Sequence, residues 1–149
     1  MTTGTVRYRD AVLGDVAAMF EIRTSVRENA MTLEQLHVLG IDEEVVAAII
    51  TTHGSGWIAE DGDLAVGFCI ADRRDGSIFA LYVRPDFEGQ GYGRTLLQAG
   101  VSHLHACGCD RLWLAVGRNT RAHGFYLKLG WIETGTVENG DVKMEKQSR

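Results

Sequence analysis

The chain has 149 residues, 45% of them hydrophobic and 23% charged: enough apolar material for one buried core, and too short for two independent domains. Fifteen basic against twenty acidic residues give a net charge of −5, which argues against a nucleic-acid binder with its usual basic face. No apolar run approaches the ~20 residues of a membrane span, and Met1 to Asp15 holds no signal-peptide core.

Thr5 to Arg9 alternates, with Val6 and Tyr8 on one face, and reads as a strand. Val12 to Val26 carries Val16, Met19, Phe20, Arg23 and Val26 at helical spacing. Thr32 to Gln35 has the form of a capping box opening a short helix that Gly40 ends. Asp42 can cap the next helix, which carries Val45, Val46, Ile49 and Ile50. Trp57 to Glu60, Leu64 to Asp72 and Ser77 to Val83 then read as three antiparallel strands, turned at Asp61-Gly62 and Asp75-Gly76. The third is apolar nearly throughout and is expected in a central position covered on both faces.

A glycine-rich loop and a helix from Tyr92 to Ala106 follow, with Leu96, Leu97, Gly100, Val101 and Leu104 as the packing stripe. Arg111 to Val116 is a strand, expected parallel to the apolar one. Asn119 precedes a helix that stops at Gly130. Trp131 to Val137 and Val142 to Lys146 flank the hairpin signal Asn139-Gly140, and the tail Gln147 to Arg149 is expected to fray. The pattern is α/β in a single domain, residues 1–149. Cys69, Cys107 and Cys109 lack a disulfide spacing and read as reduced thiols of a cytoplasmic protein. His103 and His105 diverge on a helix, and Cys107 and Cys109 flank Gly108 at a helix-to-strand turn, so no metal site is expected.

Glu88-Gly89-Gln90-Gly91-Tyr92-Gly93-Arg94 joins a strand to a helix, where glycines let backbone N–H groups converge on an anion at the helix N-terminus. It is not a P-loop, which needs a glycine at Glu88 and a lysine at Arg94. It is not a dinucleotide fingerprint either, whose third glycine would fall on Arg94. On these residues alone, a plain tight turn and a pyrophosphate cradle both stay open.

Asn119-Thr120-Arg121-Ala122-His123-Gly124-Phe125-Tyr126-Leu127-Lys128-Leu129-Gly130-Trp131 follows one strand later. The pair of stretches resembles the GNAT superfamily of N-acetyltransferases. The first is similar to its Arg/Gln-x-x-Gly-x-Gly/Ala acetyl-CoA loop, matched by Gly91 and Gly93. The second is similar to its Asn-x-x-Ala-x-x-Phe-Tyr-x-Lys-x-Gly-Phe/Trp segment, and Leu81 to Pro85 resembles the strand before the loop. The resemblance implies a mixed, mostly antiparallel sheet flanked by helices, with a central parallel strand pair splayed around acetyl-CoA. Glu88 departs from the pattern by placing a carboxylate where the family has Arg or Gln. Gly124 is unusual inside a helix and is expected to admit a close approach of cofactor or sheet.

The resemblance further implies direct attack by an amine on acetyl-CoA in a ternary complex. It places the cofactor on Leu81, Tyr82 and Val83, on the loop Glu88, Gly89, Gln90, Gly91, Tyr92, Gly93 and Arg94, and on Asn119 and Tyr126. The N–H of Val83 would polarise the acetyl carbonyl, and Tyr126 would protonate the leaving thiolate. The family's strand glutamate is missing, since Phe79 and Ala80 precede Leu81, so Glu28 or a water relay is left as the base. Arg27, Glu28, Asn29, Phe79 and Trp113, with Trp57, are the candidate acceptor contacts. The acceptor is a small-molecule or peptide amine, with neither nucleic acid nor membrane involved. The resemblance admits a homodimer, for which no interface is readable. A non-catalytic acyl-CoA sensor is the alternative reading.

Overall fold

The structure, a computed structural model, describes residues 5–147. In chain order its elements are β1 (Val6–Asp10), α1 (Val16–Arg23), α2 (Leu33–Val38), α3 (Glu43–Ala48), β2 (Gly54–Asp61), β3 (Leu64–Asp72) and β4 (Ser77–Val83). Then come α4 (Tyr92–Ala106), β5 (Arg111–Val116), α5 (Arg121–Lys128), β6 (Ile132–Thr136) and β7 (Val142–Gln147). The seven strands form one sheet in the order β1-β2-β3-β4-β5-β7-β6. Only β4 and β5 run parallel; every other neighbouring pair is antiparallel.

The helix ends follow the local chemistry. Thr32 Oγ1 accepts the Gln35 N–H at 3.1 Å while Gln35 Oε1 accepts the Thr32 N–H at 2.8 Å, closing the capping box. Asp42 accepts the Val45 N–H at 2.9 Å. Helix α1 is shorter than the apolar spacing predicts. The Asp15 carboxylate takes the Val12 N–H at 2.8 Å and holds a 3₁₀ turn before it. The hydroxyls of Thr24 and Ser25 bond back to Phe20 O at 2.9 Å and Ile22 O at 2.6 Å and end it at Arg23.

Strand β2 begins three residues earlier than predicted, at Gly54. A Cβ on Gly54 would stand 1.8 Å from the Ala71 carbonyl oxygen, so only glycine lets β2 and β3 meet there. The tail expectation fails at Gln147, whose backbone closes β7; Ser148 and Arg149 lie outside the described residues.

Each sheet face carries its own core. One gathers Val66, Cys69, Leu112, Leu114 and Met144 under α4 and Tyr126 of α5. The other gathers Ile58, Phe68 and Ile70 under α1, α2 and α3. Strand β4 lies between them but is not covered along its length, contrary to its apolar sequence. Ser77 and Ile78 are buried, whereas Phe79 is exposed and Ala80 to Val83 are half-buried. The reason is that β4 meets β5 at one residue pair, Ser77 with Trp113, and the strands then part. Among the described residues no helix is long and apolar enough to cross a membrane, and no three His, Cys, Asp or Glu side chains gather as a metal site.

Candidate active site

The parting of β4 and β5 opens a cleft of about 310 Å³. Its walls come from β4, β5, the loop after α1, the glycine loop and α5. The hydrogen-bond phase of each strand decides what the walls offer. Arg84 donates its N–H to Val66 O at 2.8 Å, so alternation turns the N–H and C=O groups of Leu81 and Val83 away from β3 and toward the cleft. On β5, Trp113 donates to Gly76 O at 3.1 Å, which puts the main-chain groups of Ala115 on the cleft side too. An extended chain carrying amides can therefore pair with both strands.

At the end of the cleft stands the N-terminus of α4. Gly89 and Gly91 adopt φ values of +78° and +91°, where a side chain would be strained. Gly91 caps the helix without a side-chain bond, and the first intrahelical bond is Thr95 N–H to Gly91 O. Among the described residues the N–H groups of Tyr92, Gly93 and Arg94 have no partner and can take an anion, which the dipole of a fifteen-residue helix favours.

Glu88 does not face this anion site unbalanced. Its carboxylate lies 3.2 Å from the guanidinium of Arg121, the first residue of α5. The Arg121 N–H in turn donates to Glu28 Oε1 at 2.8 Å. One arginine thus ties the glycine loop, α5 and the loop after α1 together across the cleft mouth.

Tyr126 lines the cleft with its ring buried between Phe125 and Trp131. Among the described residues its hydroxyl has no hydrogen-bond partner. Burial, with smaller contributions from Cys69 and Tyr82, pushes its ionisation well above the ordinary value, so it stays a phenol with a proton to give. The same burial pushes the Cys69 thiol up to about 12, an inert packing group.

Most of the predicted positions meet at this cleft. Arg27, Glu28, Asn29, Phe79, Leu81, Tyr82, Val83, Glu88, Gly89, Gly91, Tyr92, Gly93, Arg94 and Tyr126 all line it. Gln90, Asn119 and Trp113 do not. Trp113 sits at the joined end of the strand pair, its indole N–H on Asp75 O at 3.1 Å and Lys143 over its ring. Trp57 packs edge-on against His103. Asn119 takes φ +63°, and its N–H donates to His123 Nδ1 at 3.2 Å, while His123 Nε2 meets Glu133 at 2.6 Å. Gly124 is exposed with open space beside it, so no close approach explains it.

The model of the acetyltransferase (GNAT) family matches residues 17–131. The chain belongs to the GNAT acetyltransferase family. The [ribosomal protein bS18]-alanine N-acetyltransferase of Haemophilus ducreyi is 36% identical over 91 residues, 60% of this chain and 62% of that protein. The mycothiol acetyltransferase of Propionibacterium freudenreichii is 40% identical over 65 residues, 43% of this chain and 21% of that one. The matches thus span less than two thirds of these relatives' length. In fold, the chain resembles the PaiA N-acetyltransferase of Thermoplasma acidophilum, solved with coenzyme A, with a TM-score of 0.81 and 19% identity over 96% of this chain and 99% of that one. A GCN5-related N-acetyltransferase from Rhodopseudomonas palustris gives a TM-score of 0.74 at 25% identity, over 99% and 98% of the two chains.

Sequence reasoning missed Arg121 and Ala115 in this GNAT chain. Arg121 carried a signal, because a basic residue in the second motif is the natural partner of an acidic one in the first. Ala115 carried none, since its contribution is main-chain phase.

Proposed function

We propose that the protein transfers the acetyl group of acetyl-CoA to a primary amine by direct attack in a ternary complex. The observation that carries this is the cleft itself: two parallel strands part after one residue pair, turn main-chain groups inward and lead to a fifteen-residue helix whose cap, Gly91, makes no side-chain bond. The pantetheine arm pairs with Leu81, Val83 and Ala115, and the pyrophosphate sits on the N–H groups of Tyr92, Gly93 and Arg94. Arg121 adds positive charge there and offsets Glu88.

Holding thioester and amine in one cleft contributes ~7–11 kcal/mol of the barrier. The Val83 N–H stabilises the charge that develops on the acetyl oxygen. As the amine nitrogen bonds to the carbonyl carbon and the carbon–sulfur bond breaks, Tyr126 gives its proton to the leaving thiolate. Glu28 accepts the amine proton. Its carboxylate lines the cleft with Oε1 on the Arg121 N–H, and a water relay is the alternative base. The protein is assigned to the cytoplasm, consistent with Cys69, Cys107 and Cys109 being free thiols.

Thermal shift with acetyl-CoA, CoA, ATP and NAD, followed by thiol release over a panel of amines, tests the reading. Stabilisation by the two CoA ligands alone, with turnover on one amine class, is expected. Stabilisation without turnover on any amine supports an acyl-CoA sensor instead, and no CoA stabilisation contradicts the cleft assignment.

A further inference from the structure

A second, smaller cavity of about 100 Å³ shares Phe79, Ala80 and Tyr82 with the cleft. Its remaining wall comes from α1, α2, α3 and β3, and it is apolar, with Met19, Leu36, Val46 and Phe68 among its residues. Arg23 is the exception.

The Arg23 side chain is only 8% exposed. Its guanidinium lies 4.5 Å over the Tyr82 ring, and Nη2 donates to Asn29 O at 3.2 Å. Its Nη1 is buried with no hydrogen-bond partner, and among the described residues no carboxylate lies within ion-pair distance. Two buried carboxylates and one buried imidazole are, by contrast, each partnered. Asp15 has Arg9 at 2.8 Å, Asp72 has Arg74 at 2.7 Å and His123 has Glu133 at 2.6 Å. Burying a cation without a counter-charge is unfavourable, and a contact with one ring face recovers only part of that cost. Holding the Asn29 carbonyl needs a donor but not a charge. The chain nonetheless places a guanidinium beside an apolar cavity that borders the reacting cleft.

We propose that this cavity seats the carboxylate end of the acceptor on Arg23, and that the acceptor is a small amine with an apolar body and a single carboxylate. The inference rests on the acetyl-transfer reading and narrows it. A guanidinium suits a carboxylate, and the surrounding apolar wall suits a hydrocarbon body. Nη1 is covered in this conformation, so a wall has to give. Phe79 is placed for it: it borders both cavities, is exposed, and is the extra residue where β4 slips register against Ile70 and Ala71 of β3.

The test uses matched amines that differ only at the carboxylate: leucine, leucine amide and 3-methylbutylamine, and the phenylalanine equivalents. Thiol release from acetyl-CoA gives kcat/KM for each. The acid is expected to exceed its amide by roughly 10- to 100-fold, the range of a hydrogen bond to a charged group. Amine basicity works against this result, because the amide holds more free amine at neutral pH. Arg23→Met should bring the acid-to-amide ratio near one, and Arg23→Lys should retain part of it. Calorimetry with N-acetyl-leucine and its amide, with and without CoA, reads the same preference without turnover and does not depend on a variant folding. Equal kcat/KM or equal binding of acid and amide overturns the inference, as does a preference that survives Arg23→Met. Failure of CoA to bind contradicts the acetyl-transfer reading, whereas CoA binding with no preference for the acid contradicts this inference alone.

Discussion

The two ends of β4 are built from similar apolar residues and behave as opposites. At the Ser77 end everything is tied. Trp113 donates its N–H to Gly76 O and its indole N–H to Asp75 O, and Ser77 N–H meets the Asp75 carboxylate at 3.1 Å. Asp72 takes both the backbone N–H and the guanidinium of Arg74. At the Val83 end the strand has β3 on one side and open space on the other. Hydropathy alone does not separate them. The difference lies in pairing: one end uses its main-chain groups for the fold, and the other turns those of Leu81 and Val83 toward the cleft.

If that division is right, substitutions at the open end cost turnover and those at the joined end cost stability. Tyr126→Phe should lower kcat by roughly 10²- to 10⁴-fold, the size of a lost general acid. Its melting temperature should hold, because the hydroxyl has no partner among the described residues; a variant that melts early with kcat intact would break the division.

Gly76→Val is the reverse case. Gly76 has φ +74°, and a Cβ there would lie 2.9 Å from Arg111 O. A loss of about 2–3 kcal/mol in urea denaturation is expected, from strained backbone plus displaced neighbours.

Asp72→Asn should cost about 1–2 kcal/mol at neutral pH, with a pH signature. Burial is the largest influence on the Asp72 carboxyl and works to raise its pKa, but the Arg74 bonds together hold it below its ordinary 3.8. The charged form is therefore favoured by folding. The stabilisation is complete above about pH 4 and is lost as pH falls through the lower folded-state value. Urea midpoints of wild type and variant should converge in that acid window.

The smallest effects concern the cleft mouth. Arg121→Ala should weaken CoA binding by roughly three- to tenfold, and Glu88→Gln should tighten it by about two- to fivefold, given how exposed this pair is. Calorimetry at two salt concentrations reads both, and both shifts should shrink at high salt.

Much of this was legible before any coordinates. The caps at Thr32 and Asp42 and the limits of β3, β4, α4 and β5 depend on short-range chemistry, and the structure has them where the residues put them. The glycine loop and Tyr126, singled out by the resemblance of two motifs to the family, both line the cleft. What escaped depended on partners distant in the chain. Gly54 belongs to a strand because of Ala71, and Glu88 is tolerable because of Arg121. The apolar run of β4 gave no sign that β5 would leave its second half uncovered. Trp113 shares a strand with the cleft residue Ala115 and still misses the cleft, because a strand's sequence does not say at which end the sheet opens.

Residue-resolved amide exchange on the protein with and without CoA tests the division most directly. The Leu81 and Val83 amides should exchange readily in the free protein and become protected with CoA, together with Tyr92, Gly93 and Arg94. The Trp113 amide, bonded to Gly76 O, should be slow in both states. Protection that appears elsewhere, or Leu81 and Val83 amides that CoA leaves unchanged, would contradict the account.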